Sequence, residues 1–503
     1  MNMEYKESSG DYPYYNALWH LQSIGVLELT THKSDAWDLA ETTNQESTVA
    51  LIDVSVAVNH PNLKESIDTE RTIDFFSAPL GALPYRAKST AQTNQPPQQD
   101  IGFSSVDLPN EEYTSKLAVE TGIETKRLYD NLLSRLKAPS AAQSSIQAAS
   151  SEAFSAHGTA MAGLIAAKPA DVPFMAPKFI EPISNKAKKA LNATAAALPY
   201  AGVNPYCRLI PISTSLEPDP EQLLLAFMYA SLVGADVIVV PREIYDPNRS
   251  PVSLSYTSKV AVKEEVDLVE SIARSSLQHT DHLWDELADL IVNLSKQIPI
   301  LCAAGNGGDE RLVYPASLAA EDNGVIPVGA KTATGKLSAY SSLTALDAVY
   351  APSGDGERLD QDLQRLDIIT TDFDRKLHSS TYSGHLAIDG PGDPATSSND
   401  AFTVQNLIST DVPGDYGYNG SDVVENSDSE TVSSFGSFFC EFSGTSGAVA
   451  IAGGFLSLAY LTGKLGQTDG TTGVDAKRFL KRASTEEDPQ KQHQAVVNWS
   501  RIA

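Results

Sequence analysis

Four short stretches of the chain carry side chains whose types could do chemistry together. In SGTSGAVAIAGGFLSLAYL, Ser446 stands among small residues at the mouth of a long apolar helical run. A serine there sets its Oγ near unpaired backbone N–H groups and the positive end of a helix dipole, which favours a developing oxyanion; the same place also suits a plain helix N-cap. In HGTAMAGLIAA, His157 heads a second small-residue helix. Close helix packing accounts for Ala160, Ala162, Gly163, Ala166 and Ala167 without calling for an imidazole in the first turn. A free histidine titrates near pH ~6.5, so an imidazole can take a hydroxyl proton and return it near neutrality. In VALIDVSV, an apolar strand ends in Asp53. A carboxylate at the C-terminal end of a parallel strand can hold an imidazole in its proton-accepting tautomer, although many such aspartates only form turns. In PILCAAGNGG, Asn306 sits between two glycines. Its carboxamide is a neutral donor able to bond an oxyanion without competing as a base, or else one half of an Asn-Gly turn.

The elements that must position these residues are legible as a repeating pattern. Short runs rich in Val and Ile (STVALIDVSV, RLIPISTS, ADVIVV, IPILCAA and VIPVGA) alternate with EQLLLAFMYASLVG and WDELADLIVNLSKQ, whose apolar residues recur at three- and four-residue steps. This alternation predicts an α/β fold with a mostly parallel central sheet covered by helices on both faces. Two stretches depart from it. Residues 77–155 include TAQTNQPPQQD and APSAAQSSIQAASS, compositions of weakly ordered insertions, with YTSKLAVETGIETKRLYDNLLSRL between them as a helix or two. Residues 354–434 are rich in Asp, Ser, Thr and Gly with little periodicity. Smaller insertions are expected at 168–199 and 244–282, all as elaborations of one domain spanning 1–503, because core elements resume after each.

The 503 residues carry 37 basic and 64 acidic side chains, a net charge of −27 that repels phosphate backbones and anionic lipid surfaces. Nucleic acid and membrane partners are therefore not expected. Cys207, Cys302 and Cys440 have neither zinc-site nor disulfide spacing and are expected as reduced, buried thiols. The opening MNMEYKESSG lacks a signal peptide's basic and apolar regions, and the apolar run around Gly447 to Leu461 is shorter than a bilayer span. A cytoplasmic location is the expectation.

Taken in the order Asp53, His157, Asn306 and Ser446, the four segments closely resemble the subtilisin-like serine proteases. YYNALWHLQSIG, GVNPYCRLIPI, YPASLAAEDNGVIPVGA, LSAYSS and AKRFLKRAST extend the likeness, which covers most of 12–76, 155–167, 200–243, 283–353 and 435–503. It implies a three-layer subtilisin-like fold elaborated by long insertions, and an endopeptidase acting on protein or peptide substrates. Ser446 is then the nucleophile, His157 the general base, Asp53 the orienting acid and Asn306 an oxyanion-hole donor. No cofactor is required for that chemistry; calcium is common among relatives, but no ligand cluster is legible here. Where relatives have Asp-Thr/Ser-Gly, this chain has Asp53-Val54-Ser55; Gly447-Ala448-Val449-Ala450 replaces Met-Ala-Ala-Pro; and Pro241-Arg242-Glu243 stands where a Ser-Leu/Trp-Gly substrate edge is usual. Glu243, Asp246, Asp309 and Glu310 flank the segments that form the first specificity pocket in relatives, which points to basic side chains before the cut. The stretch before Tyr12 is too short for the folded inhibitory propeptide of many relatives. Restraint by the insertions or by a regulatory protein partner, with a narrow substrate range, is expected instead.

Overall fold

The computed structural model describes residues 18–82, 106–137, 155–171, 200–250, 281–354, 407–485 and 495–502 apart from a few positions within them, and short strand pieces at 178–179 and 197–198. Its centre is a seven-stranded sheet of β1 (Thr48–Asp53), β2 (Ile73–Asp74), β3 (Arg208–Ser213), β4 (Val237–Val240), β5 (Ile300–Ala303), β6 (Val325–Lys331) and β7 (Val349–Pro352). The spatial order is β7-β6-β5-β4-β1-β3-β2, and every neighbouring pair is parallel. Parallel strands need covering on both faces, and alternate side chains of one strand serve opposite cores. Val49 and Leu51 of β1 join one apolar cluster, Ala50 and Ile52 the other. Leu301 and Ala303 of β5 divide from Ile300 and Cys302 in the same way.

Two helices, α5 (Ala156–Ala166) and α8 (Gly444–Leu461), lie in the first cluster, beside α2 (Asp35–Thr42) and α9 (Gly473–Ala483). The second contains α3 (Glu111–Thr121), α4 (Ile123–Lys137), α6 (Pro220–Leu232) and α7 (Asp281–Ser295). A short α1 (Trp19–Ser23) precedes them. By length and composition α8 could cross a membrane, contrary to the reading of that run as too short. Here it is the core helix, almost wholly buried against α5 and the sheet. Its glycines permit this: a Cβ on Gly454 would sit 2.8 Å from Val203 Cβ, and one on Gly453 2.5 Å from Val239 Cγ2. Cys207, Cys302 and Cys440 are buried and none is in a disulfide, and burial raises the thiol pKa of Cys207 to about 12.

The stretch between 77 and 155 contributes two helices, α3 and α4, meeting at Gly122. The end of the acidic insertion is more ordered than its composition indicates: Leu407–Thr410 forms β8, antiparallel to β9 (Phe439–Phe442). Ser409 and Thr410 donate their hydroxyls to the carbonyls of Ala160 and Thr159, at 2.5 and 2.7 Å, fastening β8 onto α5.

Candidate active site

The four chemistry-bearing residues sit where strands end and helices begin. Asp53 is the last residue of β1 and is 1% exposed. It stands at the C-terminal edge of the sheet, the side on which open α/β sheets bind ligands. His157 is the second residue of α5. Its Nδ1 lies 2.7 Å from Asp53 Oδ2, so the carboxylate favours the tautomer with the proton on Nδ1 and leaves Nε2 unprotonated. The other carboxylate oxygen, Oδ1, accepts the Val54 N–H at 2.7 Å. The exit of β1 is pressed against the head of α5. Gly158, beside His157, is so close that a Cβ there would lie 2.5 Å from the Ser55 carbonyl oxygen, and Thr159 Oγ1 accepts the Ala57 N–H at 2.9 Å.

Ser446 is the third residue of α8 and is 9% exposed. The backbone turns into this helix through Gly444, whose φ of +85° belongs to the left-handed region that glycine adopts without strain. Tyr340 Oη accepts the Gly444 N–H at 3.0 Å and Ser353 Oγ donates to its carbonyl at 2.8 Å, so the turn is clamped on both sides. Asn306 follows β5, and its Oδ1 accepts from both the N–H and the hydroxyl of Thr445 at 2.9 Å. With the oxygen so engaged, Nδ2 points no donor at a described protein acceptor and is available to another. Thr445 Oγ1 also accepts the Gly305 N–H at 3.3 Å. The Asn306 turn and the Ser446 turn are thus one hydrogen-bonded unit.

Phe442, which closes β9 four residues before Ser446, lies edge-on to His157 with ring centroids 5.6 Å apart, and Tyr418 meets the Phe442 ring edge-on at 5.7 Å. The Phe442 ring thus joins the approach to α8 to the head of α5. The Tyr418 hydroxyl is pushed well above its ordinary pKa by burial, with Asp53 adding to the shift. Among the described residues no hydrogen bond joins Ser446 Oγ to His157, whose Nδ1 is bound to Asp53; catalytic hydrogen bonds commonly tighten only when substrate binds.

Next to Asp53 opens a cavity of about 290 Å³ lined by Val54, Ser55, Phe76, Thr214, Ser215, Leu216 and Glu217. Its wall is held by Arg242. Nη1 donates to the carbonyls of Ser215 and Leu216 at 2.9 and 3.3 Å, and Nη2 donates to Thr214 Oγ1. The Arg242 side chain is 10% exposed, and its Nε lies 3.9 Å from Asp53 Oδ1. Burial lowers the guanidinium pKa, and the Asp53 charge works against that lowering.

Of the four acidic residues expected near the specificity pocket, Glu243 is exposed just after β4. Asp246 is fully buried: its Oδ1 accepts the Asn248 N–H at 2.7 Å and its Oδ2 pairs with Arg249 at 2.9 Å. Its charge therefore anchors its own loop. Asp309 and Glu310 lie outside the described residues. Among the described residues no group of three or more His, Cys, Asp or Glu side chains could hold a metal ion. The anchoring of Asn306 by Thr445, the Phe442 ring and the guanidinium beside Asp53 were not anticipated from sequence as parts of the site. Only the departure at Pro241-Arg242-Glu243 hinted at the last.

No curated protein matches the sequence. Among solved structures, the chain is similar to the epidermin leader peptide processing serine protease of Staphylococcus aureus (14% identity over 97% of this chain and 80% of that one, TM-score 0.46). It is likewise similar to the nisin leader peptidase of Lactococcus lactis (15% identity, 98% and 94% covered, TM-score 0.46) and to a protease of Pseudoalteromonas arctica (16% identity, 97% and 96% covered, TM-score 0.43). The family model for subtilases matches residues 44–497, a span that begins just before β1 and ends after the last long helix. A match over that much of the chain shows its membership: it belongs to the subtilase family and is a serine endopeptidase.

Proposed function

We propose that the enzyme cleaves peptide bonds through an acyl-enzyme on Ser446, with His157 as general base and acid, Asp53 as orienting carboxylate and Asn306 as oxyanion donor. The observation that carries this reading is the 2.7 Å bond from His157 Nδ1 to Asp53 Oδ2 at the sheet's C-terminal edge. Ser446 Oγ attacks the scissile carbonyl carbon while His157 Nε2 takes the hydroxyl proton. Asn306 Nδ2 and the backbone N–H of Ser446 donate to the tetrahedral oxyanion, and the Asp53 carboxylate stabilises the imidazolium. Collapse returns the proton to the leaving amine. A water molecule, deprotonated by the same imidazole, then hydrolyses the ester. Every proton in these steps is moved by the chain's own groups.

A narrow substrate range goes with this assignment. Arg242 and the exposed Glu243 replace the open edge on which relatives pair an extended peptide, so a substrate must suit a charged border to reach Ser446. Labelling with a fluorophosphonate probe tests the chemistry. Covalent modification should map to the peptide containing Ser446 and vanish in Ser446→Ala, with the melting temperature retained. Label that persists in Ser446→Ala would remove Ser446 as nucleophile. On casein the unassisted enzyme should be slow; brisk, indiscriminate digestion would refute the narrow range.

A further inference from the structure

Arg242 is placed by strand order over the catalytic acid. It follows β4, while the groups it bonds follow β3, and β1 runs between those two strands. The side chain must therefore cross the C-terminal end of β1, where Asp53 sits. Its two terminal nitrogens are taken by Thr214 Oγ1 and by the carbonyls of Ser215 and Leu216. Its Nε–H, buried and without a hydrogen bond, is left 3.9 Å from Asp53 Oδ1. Asp53 thus lies between an imidazole on Oδ2 and a guanidinium on the Oδ1 side. A buried guanidinium is costly unless a carboxylate answers its charge, and among the described residues Asp53 is the one that does so. A rigid planar fork also fixes direction in a way a flexible ammonium does not.

We propose that Arg242 is a positioning residue that acts through Asp53, locking the carboxylate to the wall of the adjoining cavity so that the acid is aimed when a substrate residue fills that cavity. The proposal rests on the assignment of Asp53 as the orienting acid. The same guanidinium grips Thr214, Ser215 and Leu216, three of the residues lining the cavity, so one side chain touches the wall and faces the acid. A role limited to bracing the Thr214–Leu216 segment would instead be felt in stability and in substrate binding, not in turnover through Asp53.

A double-mutant cycle separates the two. Arg242→Met and Asp53→Ala, singly and together, are assayed with an N-acyl amino-acid p-nitrophenyl ester, with turnover expressed per fluorophosphonate-titrated site and melting temperatures recorded. Arg242→Met should lower kcat by about 10²-fold, the scale of a misplaced catalytic group. KM should move by less than about threefold, since the loss concerns the reacting state and not ground-state binding. In the Asp53→Ala background the same substitution should change kcat by less than about threefold, because groups that act through one another are non-additive. An unchanged kcat, a loss confined to KM, or an equal loss in both backgrounds overturns the proposal. Should Arg242→Met fail to fold, Arg242→Gln, which keeps amide donors for the Thr214 segment without the charge, is held to the same expected losses. Ser446→Ala is the control: turnover that survives it ends the triad assignment itself. A flat response to Arg242→Met in an enzyme that Ser446→Ala silences ends only the positioning role.

Discussion

His60 is a buried imidazole that the hydrolytic reaction does not use. Its Nδ1 accepts the Asn62 N–H at 3.1 Å, which puts the ring proton on Nε2, and Nε2 donates to the Phe438 carbonyl at 3.0 Å. The bond to Nδ1 needs the neutral ring, since a protonated Nδ1 cannot accept, whereas Nε2–H donates in either state; Phe438 immediately precedes β9, the strand that leads to Ser446. Burial lowers the pKa to about 4, with the Phe438 hydrogen bond opposing that shift. The folded pKa is below the unfolded one, so the unfolded chain binds a proton that the folded chain refuses. The contribution is fully present above pH ~6.5 and is lost as pH falls toward about 4. The range corresponds to up to about 3 kcal/mol. In His60→Gln, whose amide cannot titrate, the stability measured by urea unfolding should fall less steeply between those two pH values than in the wild type. Parallel curves would show that the ring is not responsible. His60 itself was not singled out from sequence, since NHPNL reads as turn material and burial of its imidazole depends on Phe438, far along the chain.

Among the elements, the head of α5 sets the geometry of His157. Gly158 lets that helix press against the β1 exit, where a Cβ would meet the carbonyl oxygens of Ser55 at 2.5 Å and Val54 at 2.8 Å. Both obstacles are backbone, so Gly158→Ala needs a backbone shift of α5 or of the β1 exit, and a shift of α5 carries His157 with it. We expect kcat to fall by about 10²-fold from that displacement, with a melting temperature lowered but a cooperative transition retained. Kinetics indistinguishable from wild type would mean that the β1 exit yields instead. The strands and helices carrying Asp53, His157, Asn306 and Ser446 were legible because each combines a periodic apolar run with a reactive residue at its end. Bonds between elements were not. The contact of Arg242 with Asp53 exists because β1 lies between β4 and β3, an order that sequence adjacency does not state. β2, only two residues long, and β8, whose residues were assigned to an aperiodic insertion, gain strand character from the neighbours they pair with, not from their own pattern.

For the molecule as a whole, the question is how an added helical pair is tied to the sheet without disturbing the site. α3 and α4 pack in the second core with α6 and α7, on the sheet face opposite to α5 and α8. One side chain of α7 does much of the fastening. Glu286 accepts the Thr125 N–H at 2.7 Å and the Thr125 hydroxyl at 2.6 Å, and the Glu124 N–H at 3.4 Å. These amides open α4 and have no partner within their own helix, so a carboxylate from the neighbouring helix acts as a borrowed cap and answers the helix dipole. The approach is close enough that a Cβ on Gly122 would lie 2.2 Å from Glu286 Cδ. A sequence reading places two helices here but cannot supply a cap that comes from another element. Glu286→Ala orphans the first turn of α4, a loss of about 1–2 kcal/mol on the scale of helix caps. For a protein of this size that is a fall in melting temperature of only about 1–2 °C. Because the sheet separates α4 from His157 and Ser446, kcat and KM of the folded variant should equal those of the wild type. A drop in kcat at unchanged stability would instead show that the helical pair reports to the catalytic edge through the sheet.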